Sequence, residues 1–219
     1  MPIERSSRGL WLFMSIFMFI WITQVFIIEP KLDVWYFMLS TTMISLKLLM
    51  SFIFTARSNP GYIEKNNDEE FEFSTLLKLV PSKKLCPECK VIKEPGSKHC
   101  TICNRCVSKY ETHCVWLDTC IGAKNNARYL MFVFYVWLDV FLLGWIAMAS
   151  IPVAECEIEH CPYEVLCIGN LCSIHGVHYF VTWSNMIICY FFFVPSGWLC
   201  CLQCYNFGKG KTTNERYSR

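Results

Sequence analysis

Four apolar stretches constrain this chain more than any other feature, because each can cross a bilayer core of roughly 30 Å as a helix of about 20 residues. They are predicted at 10–28, 34–54, 129–153 and 177–202. Backbone entering hydrocarbon has to satisfy its own hydrogen bonds, and a helix is the element that does so alone. The expected fold class is therefore all-α membrane, with four transmembrane helices. Composition agrees: 54% of the 219 residues are hydrophobic and 17% are charged, a balance an ordinary soluble domain rarely shows. Arg5 and Arg8 ahead of the first stretch invite a signal-peptide reading. That stretch outruns an h-region, lacks a small-residue cleavage site and leads through Pro30 into a second span, so a hairpin of two spans is expected.

Basic residues set the expected orientation, since Lys and Arg collect on the cytosolic side. The 57–128 segment holds twelve of them, and the tail adds Lys209, Lys211, Arg216 and Arg219. The 154–176 loop carries Glu155, Glu157, Glu159 and Glu164 with no Lys or Arg, and the 29–33 turn has Lys31 between two acids. Both termini and the long middle segment are expected in the cytosol. The layout read from this is 1–54 for the N-terminus and first two helices, 55–128 for a cytosolic cysteine-rich domain, 129–202 for the last two helices with a lumenal loop at 154–176, and 203–219 for a cytosolic tail. Ser58-Asn59-Pro60-Gly61 reads as the turn that closes the second helix, and 64–73 as a solvated acidic loop. No internal repeat stands out.

The middle segment contains Cys86-x2-Cys89-x9-His99-Cys100-x2-Cys103-x2-Cys106, then His113-Cys114 and Cys120. In a reducing cytosol a dense thiol cluster points to metal rather than disulfides, and Cys3His is a common closed set for Zn²⁺. Seven Cys and two His are nine candidate ligands, whereas two tetrahedral ions need eight. One side chain is left over, and a surplus thiol beside two zinc sites is a candidate nucleophile. A RING-type cross-brace needs a further Cys-x2-Cys after Cys106, which is missing. Nucleic-acid binding is not expected of a segment held between two membrane helices with a modest basic excess.

Cys86 to Gly122 resembles the cysteine-rich domain of the DHHC protein S-acyltransferases, the palmitoyltransferases named for Asp-His-His-Cys. The matching pieces are Ser97-Lys98-His99-Cys100, Cys103-Asn104-Arg105-Cys106, His113-Cys114-Val115-Trp116 and Cys120-Ile121-Gly122. Outside it, Asn59-Pro60-Gly61 is similar to the family's Asp-Pro-Gly, and Thr212-Thr213-Asn214-Glu215 to its Thr-Thr-x-Glu. The resemblance implies two structural Zn²⁺, one on Cys86, Cys89, His99 and Cys106, the other on Cys100, Cys103, His113 and Cys120. It implies Cys114 as the acyl-accepting nucleophile, palmitoyl-CoA or another long-chain acyl-CoA as donor, Trp116 at the acyl-CoA side of the site, and cysteine-bearing client proteins at the cytosolic surface of an ER, Golgi or plasma membrane.

The signature departs from the family at two positions: it reads Glu111-Thr112-His113-Cys114. The family's first histidine, the expected base oriented by the acid, is Thr112 here, and the aspartate is Glu111. A threonine hydroxyl cannot take a proton near neutral pH, and losing a general base typically costs about 10²–10⁴-fold. Cysteine tolerates that loss best, since a few per cent is thiolate near pH 7. Two readings stand: a slow S-acyltransferase, or an inactive relative acting as a zinc-ordered membrane scaffold. The family's later asparagine matches either Asn125 or Asn126. Elsewhere, Lys47 and Asp139 are intramembrane charges expected to pair, or Lys47 to snorkel to the surface. Cys156, Cys161, Cys167 and Cys172 are expected to form two lumenal disulfides. Cys200, Cys201 and Cys204 suit S-acylation or simply end an apolar helix.

Overall fold

The computed structural model describes residues 8–29, 35–64, 80–159 and 174–217. Helix α1, Arg8–Thr23, continues through a π-helical turn, Gln24–Ile28, and stops just before Pro30. Helix α2 is Trp35–Ala56, α3 Asn126–Glu159 and α4 Ile174–Lys209. Among the described residues these four are long and apolar enough to cross a membrane. The last two run beyond the expected ends at 153 and 177 into the loop between them. The bridges expected among Cys156, Cys161, Cys167 and Cys172 fall on side chains outside the described residues, as does most of the acidic 64–73 stretch.

The chain divides into two compact units, one of Phe13–Ser51 with Phe132–Cys201, the other of Met1–Leu12, Phe52–Met131 and Leu202–Arg219. The first is the helical membrane unit, and it is built inside out. Phe19, Phe26, Leu39, Trp145, Phe180 and Phe191 are exposed on its surface, while Gln24, Thr41, Ser45, Asp139, Thr182 and Asn185 are buried. Lipid tails are as apolar as leucine, so the inner faces gain specificity from close packing and hydrogen bonds instead. Ile20, Leu143 and Cys189 form a small core, with Gly144 admitting the Cys189 side chain. Asn185 Nδ2 donates to Thr23 Oγ1 (2.9 Å), and Thr41 Oγ1 donates to Glu29 (2.7 Å). Asp139 accepts from Ser45 Oγ (2.7 Å) rather than from Lys47, which is exposed. Ser45 lies on the inner face of α2, whereas Lys47, two residues on, lies on its outer face.

The second unit holds three two-stranded antiparallel hairpins: β1 Leu85–Cys86 with β2 Val91–Ile92, β3 Lys98–Cys100 with β4 Arg105–Val107, and β5 Thr112–Cys114 with β6 Thr119–Ile121. A fifth helix, α5, Thr213–Tyr217, ends the described chain. The turn after α2 forms as the sequence suggests: Asn59 Oδ1 accepts the N–H groups of Gly61 (2.8 Å) and Tyr62 (3.2 Å), and Gly61 takes a φ of 97°. The chain then runs beside β4, with Ile63 N donating to the Cys106 carbonyl (2.9 Å). Gly122 passes where any Cβ would meet the Pro60 and Ser108 carbonyl oxygens at 2.6 and 2.8 Å.

Candidate active site and metal centres

The hairpins are three copies of one unit spaced 14 residues apart, a repeat that residue-by-residue reading passes over. Leu85-Cys86-Pro87-Glu88-Cys89-Lys90-Val91-Ile92 aligns with His99-Cys100-Thr101-Ile102-Cys103-Asn104-Arg105-Cys106, and then with His113-Cys114-Val115-Trp116-Leu117-Asp118-Thr119-Cys120. The register repeats as well: Cys86 pairs with Val91, Cys100 with Arg105 and Cys114 with Thr119. In each copy the fifth residue of the Cys-led turn has a left-handed backbone, Lys90 at φ 56°, Asn104 at 51° and Asp118 at 48°.

Strand alternation then distributes the ligands. Successive side chains on a strand point to opposite faces, so His99 and Cys100 serve different sites although they are neighbours. The turn thiols Cys86 and Cys89 of the first copy meet His99 and Cys106, a cross-strand pair of the second. Cys100 and Cys103 of the second copy meet His113 and Cys120, the equivalent pair of the third. In each set the four ligand atoms lie within 4.8 Å of one another. His99 Nδ1 is 3.2, 3.5 and 3.8 Å from the sulfurs of Cys89, Cys86 and Cys106, and His113 Nδ1 is 3.4, 3.6 and 3.8 Å from those of Cys103, Cys120 and Cys100. A zinc tetrahedron with ordinary Zn–S and Zn–N bonds has S···N edges of about 3.6 Å, so both donor sets fit a metal ion. Crowding separates the thiols in acidity: Cys103 is pulled down to about 3 as the Cys120 thiol donates to it, Cys120 rises from that same bond, and burial pushes Cys106 up. At the first site the Glu88 carboxylate contacts His99 Nε2, an arrangement that fixes the tautomer and ring orientation of a metal-binding histidine.

The third copy differs at its turn. Leu117, buried, stands where Cys89 and Cys103 stand in the others, and Cys114 belongs to neither donor set. Its neighbour His113 faces the metal set, so Cys114 faces away from it, on the same strand face as Thr112. Cys114 is buried, which pushes its thiol above the ordinary value, and the Leu117 and Trp116 N–H groups oppose that rise. Val115 is exposed and Trp116 half-buried at the tip of the turn. Thr112 Oγ1 donates only a long bond to the His113 carbonyl (3.5 Å). Glu111 is buried and held by the chain's end: it accepts from Gln203 Nε2 (2.8 Å), Thr213 N (2.7 Å) and the Thr213 hydroxyl. Thr212 and Glu215 cap α5 reciprocally, Thr212 N donating to Glu215 (2.9 Å) and Glu215 N to Thr212 Oγ1 (3.1 Å).

Residues 79–219, well over half of the chain, match the DHHC palmitoyltransferase family. The chain belongs to that family. It is 28% identical over 199 residues to palmitoyltransferase akr1 of Schizosaccharomyces pombe, covering 81% of this chain and 30% of the relative. To palmitoyltransferase ZDHHC4 of Bos taurus it is 30% identical, covering 77% and 52%, and to palmitoyltransferase ZDHHC7 of Mus musculus 30%, covering 69% and 52%. The chain thus spans about half or less of the length of these relatives.

Within this DHHC chain several supporting residues escape sequence reasoning. Glu88 and Gln203 lie outside the family pieces, and nothing local marks either as a partner of His99 or Glu111. Of the two asparagines that could match the family's, Asn125 is buried, its Oδ1 accepts from Gly122 N (2.9 Å) and its Nδ2 donates to the Cys120 carbonyl (3.0 Å). That pair of bonds fastens the third hairpin to the start of α3. The repeat was the available signal for the rest, and it shows only when the sequence is written in rows of 14.

Proposed function

We propose that the chain is a protein-cysteine S-palmitoyltransferase that works through an acyl-enzyme on Cys114. One observation carries this reading: the three-copy repeat leaves a single turn thiol outside both metal sets, at the family's cysteine position. The Cys114 thiolate attacks the thioester carbonyl carbon of palmitoyl-CoA or a similar long-chain acyl-CoA. The new C–S bond forms as the old one breaks, and CoA leaves as a thiolate. A cysteine of a membrane-associated client then attacks the acyl-enzyme and regenerates Cys114. The two turn amides, Trp116 and Leu117, hold the sulfur and partly offset the missing base at Thr112. Glu111 acts by anchoring the Cys114 hairpin to the tail, and Trp116 borders the path of the acyl donor.

Zn²⁺ bound by Cys86, Cys89, His99 and Cys106, and by Cys100, Cys103, His113 and Cys120, serves as structural cross-linking, since four protein donors leave no open position. The hairpins belong to a cytosolic domain at 55–128 with both termini on the same side, in an ER, Golgi or plasma membrane, as the basic residues argue. The competing reading is a zinc-ordered scaffold without turnover, and Thr112 is the residue that favours it.

Purified full-length protein incubated with an alkyne analogue of palmitoyl-CoA should acquire a hydroxylamine-sensitive label. Cys114→Ser should abolish it while about two Zn per chain are retained. A folded, zinc-loaded wild type that stays unlabelled, together with an unlabelled Thr112→His, would leave the scaffold in its place.

A further inference from the structure

The last turns of α4 carry three cysteines that Cys114 chemistry does not use, and the helix divides them. Cys200 is buried, on the stripe of α4 that also buries Gln203 and Asn206. Cys201 and Cys204 are exposed. Successive residues turn by about 100°, so residues three and four apart share a face. Val194, Trp198, Cys201 and Tyr205 form one such outer stripe, with Trp198 73% and Tyr205 54% exposed, and Cys204 lies beside it. An exposed apolar stripe on a membrane-spanning helix is a lipid-facing surface. Lys209 and Lys211 come next in the chain, and Arg216 lies 4.3 Å over the Tyr205 ring. These cations mark the level of the membrane surface. At a rise of about 1.5 Å per residue, Cys204 is about 8 Å and Cys201 about 12 Å from Lys209 along the axis.

We propose that Cys201 and Cys204 are S-acylation acceptors, each taking a long-chain acyl group from a thioester donor, while Cys200 is not. An acyl chain on either sulfur can lie along the outer stripe beside Trp198 and Val194 with its thioester near the surface. Gln203, on the inner face, bonds Glu111 beside the Cys114 hairpin, whereas Cys204 is turned about 100° and Cys201 about 160° from it around the helix. The donor is therefore another molecule: a second copy of this chain, or another acyl-enzyme. The acceptor thiol loses its proton and attacks the acyl carbonyl carbon. A C–S bond forms to Cys201 or Cys204, the donor C–S bond breaks, and the donor sulfur leaves as a thiolate that takes up a proton. The inference shares thioester chemistry with the transferase reading but does not need Cys114 of the same chain.

The test is acyl exchange on an epitope-marked full chain carrying Cys114→Ala, co-expressed with the unmarked wild-type chain in cells that possess other acyltransferases and isolated through its epitope. Free thiols are blocked with N-ethylmaleimide, thioesters are cleaved with neutral hydroxylamine, and the released thiols are tagged with a PEG-maleimide. Two hydroxylamine-dependent tags are expected, one after either Cys201→Ser or Cys204→Ser, none after both, and two after Cys200→Ser. Peptide mapping of the protein with both cysteines intact reads the same sites without any change at the helix. An untagged Cys114→Ala protein, tags that survive the double substitution, or tags mapped to Cys200 overturn the proposal. Labelling of the purified wild type at Cys114 is scored separately, so loss of that label with tags retained at Cys201 and Cys204 sinks the transferase reading alone.

Discussion

The first and third hairpins have the same backbone and opposite uses. In both, a cysteine ends the leading strand, the fifth residue is left-handed, and the amides of the third and fourth residues reach back to the first sulfur: Glu88 and Cys89 for Cys86, Trp116 and Leu117 for Cys114. In the first, the fourth residue is a second thiol, and the next hairpin supplies His99 and Cys106. In the third it is Leu117, and the chain passes on into α3, with no further hairpin to supply ligands. A chain of three units has two junctions, so each end carries half a site. The first unit fills its unused half with Leu85 and Ile92. The third leaves its unused half as a thiol with two amides aimed at it. The thiol proposed as the nucleophile is thus the free end of a metal-binding repeat, held in place by turn amides rather than by a histidine.

Removing a thiol from a junction should have the largest effect. Cys103→Ser should unfold the hairpin unit, since zinc contributes roughly 10–16 kcal/mol to the folding of small zinc domains. Elemental analysis should fall from about two Zn per chain, and size exclusion in detergent should show aggregation. Cys114→Ser, one repeat further on, should change neither. Equal zinc loss from both substitutions would show that the third turn is a ligand after all.

Thr112→His acts on the third hairpin without touching either junction. Thr112 and Cys114 share a strand face two residues apart, so an imidazole at 112 can reach the sulfur without moving the backbone. Autoacylation should rise by about 10²-fold, the lower end of general-base catalysis, because cysteine ionises in part unaided. Glu111 should stay as it is, since its carboxylate is occupied by Gln203 and Thr213. A rate unchanged by the new histidine would mean that proton removal from Cys114 does not limit the reaction.

Much of this was legible in the sequence, and the reasons differ by region. Spans of about 20 apolar residues have one solution in lipid, so the four helices could be placed from composition, with errors at their ends: α3 and α4 extend into the acidic loop, α3 starts at Asn126 and α4 runs on past 202 to Lys209. The donor sets were accessible through the resemblance, because Cys-x2-Cys and His-Cys pairs keep their spacing. What local pattern could not supply was cross-chain partnership. Opposite charges attract, which pairs Asp139 with Lys47 on paper, yet Ser45 is on the inward face and Lys47 is not. Glu111 reads as the acid that orients a base, but its partners Gln203 and Thr213 lie 92 and 102 residues away and carry no mark of it.

The two junctions differ in their surroundings, which gives a milder test. His99 has the Glu88 carboxylate on its outer nitrogen. Glu88→Ala should lower zinc affinity at the first site by about 10–100-fold, the usual effect of removing such a partner. Competition with a chromophoric chelator should then show one Zn released well before the other. Release of both ions together, as in wild type, would mean that Glu88 only covers the surface.

The smallest effect concerns what props the third turn, which has no metal of its own. Gly9, in the first turn of α1, lies against the Val115 peptide next to Cys114: a Cβ there would fall on the Val115 carbonyl oxygen and 3.0 Å from its carbon. Those are backbone atoms, so neither can swing aside as a flexible side-chain end would. Gly9→Ala must shift either the helix start or the Cys114-Val115 peptide by more than half an ångström. A full 1 Å misplacement of a reacting group can cost about 10²-fold, so a shift of this size should slow autoacylation by about tenfold. Zinc content and thermal stability should hold, because the ligands His113 and Cys120 lie on the other face of the Cys114 hairpin and the remaining ligands lie on the first two hairpins. The first hairpin offers the control: Pro87 occupies the position of Val115, and Pro87→Ala should leave the labelling rate of Cys114 untouched. A Gly9→Ala protein that labels at the wild-type rate would show that the two turn amides hold the sulfur without help from α1.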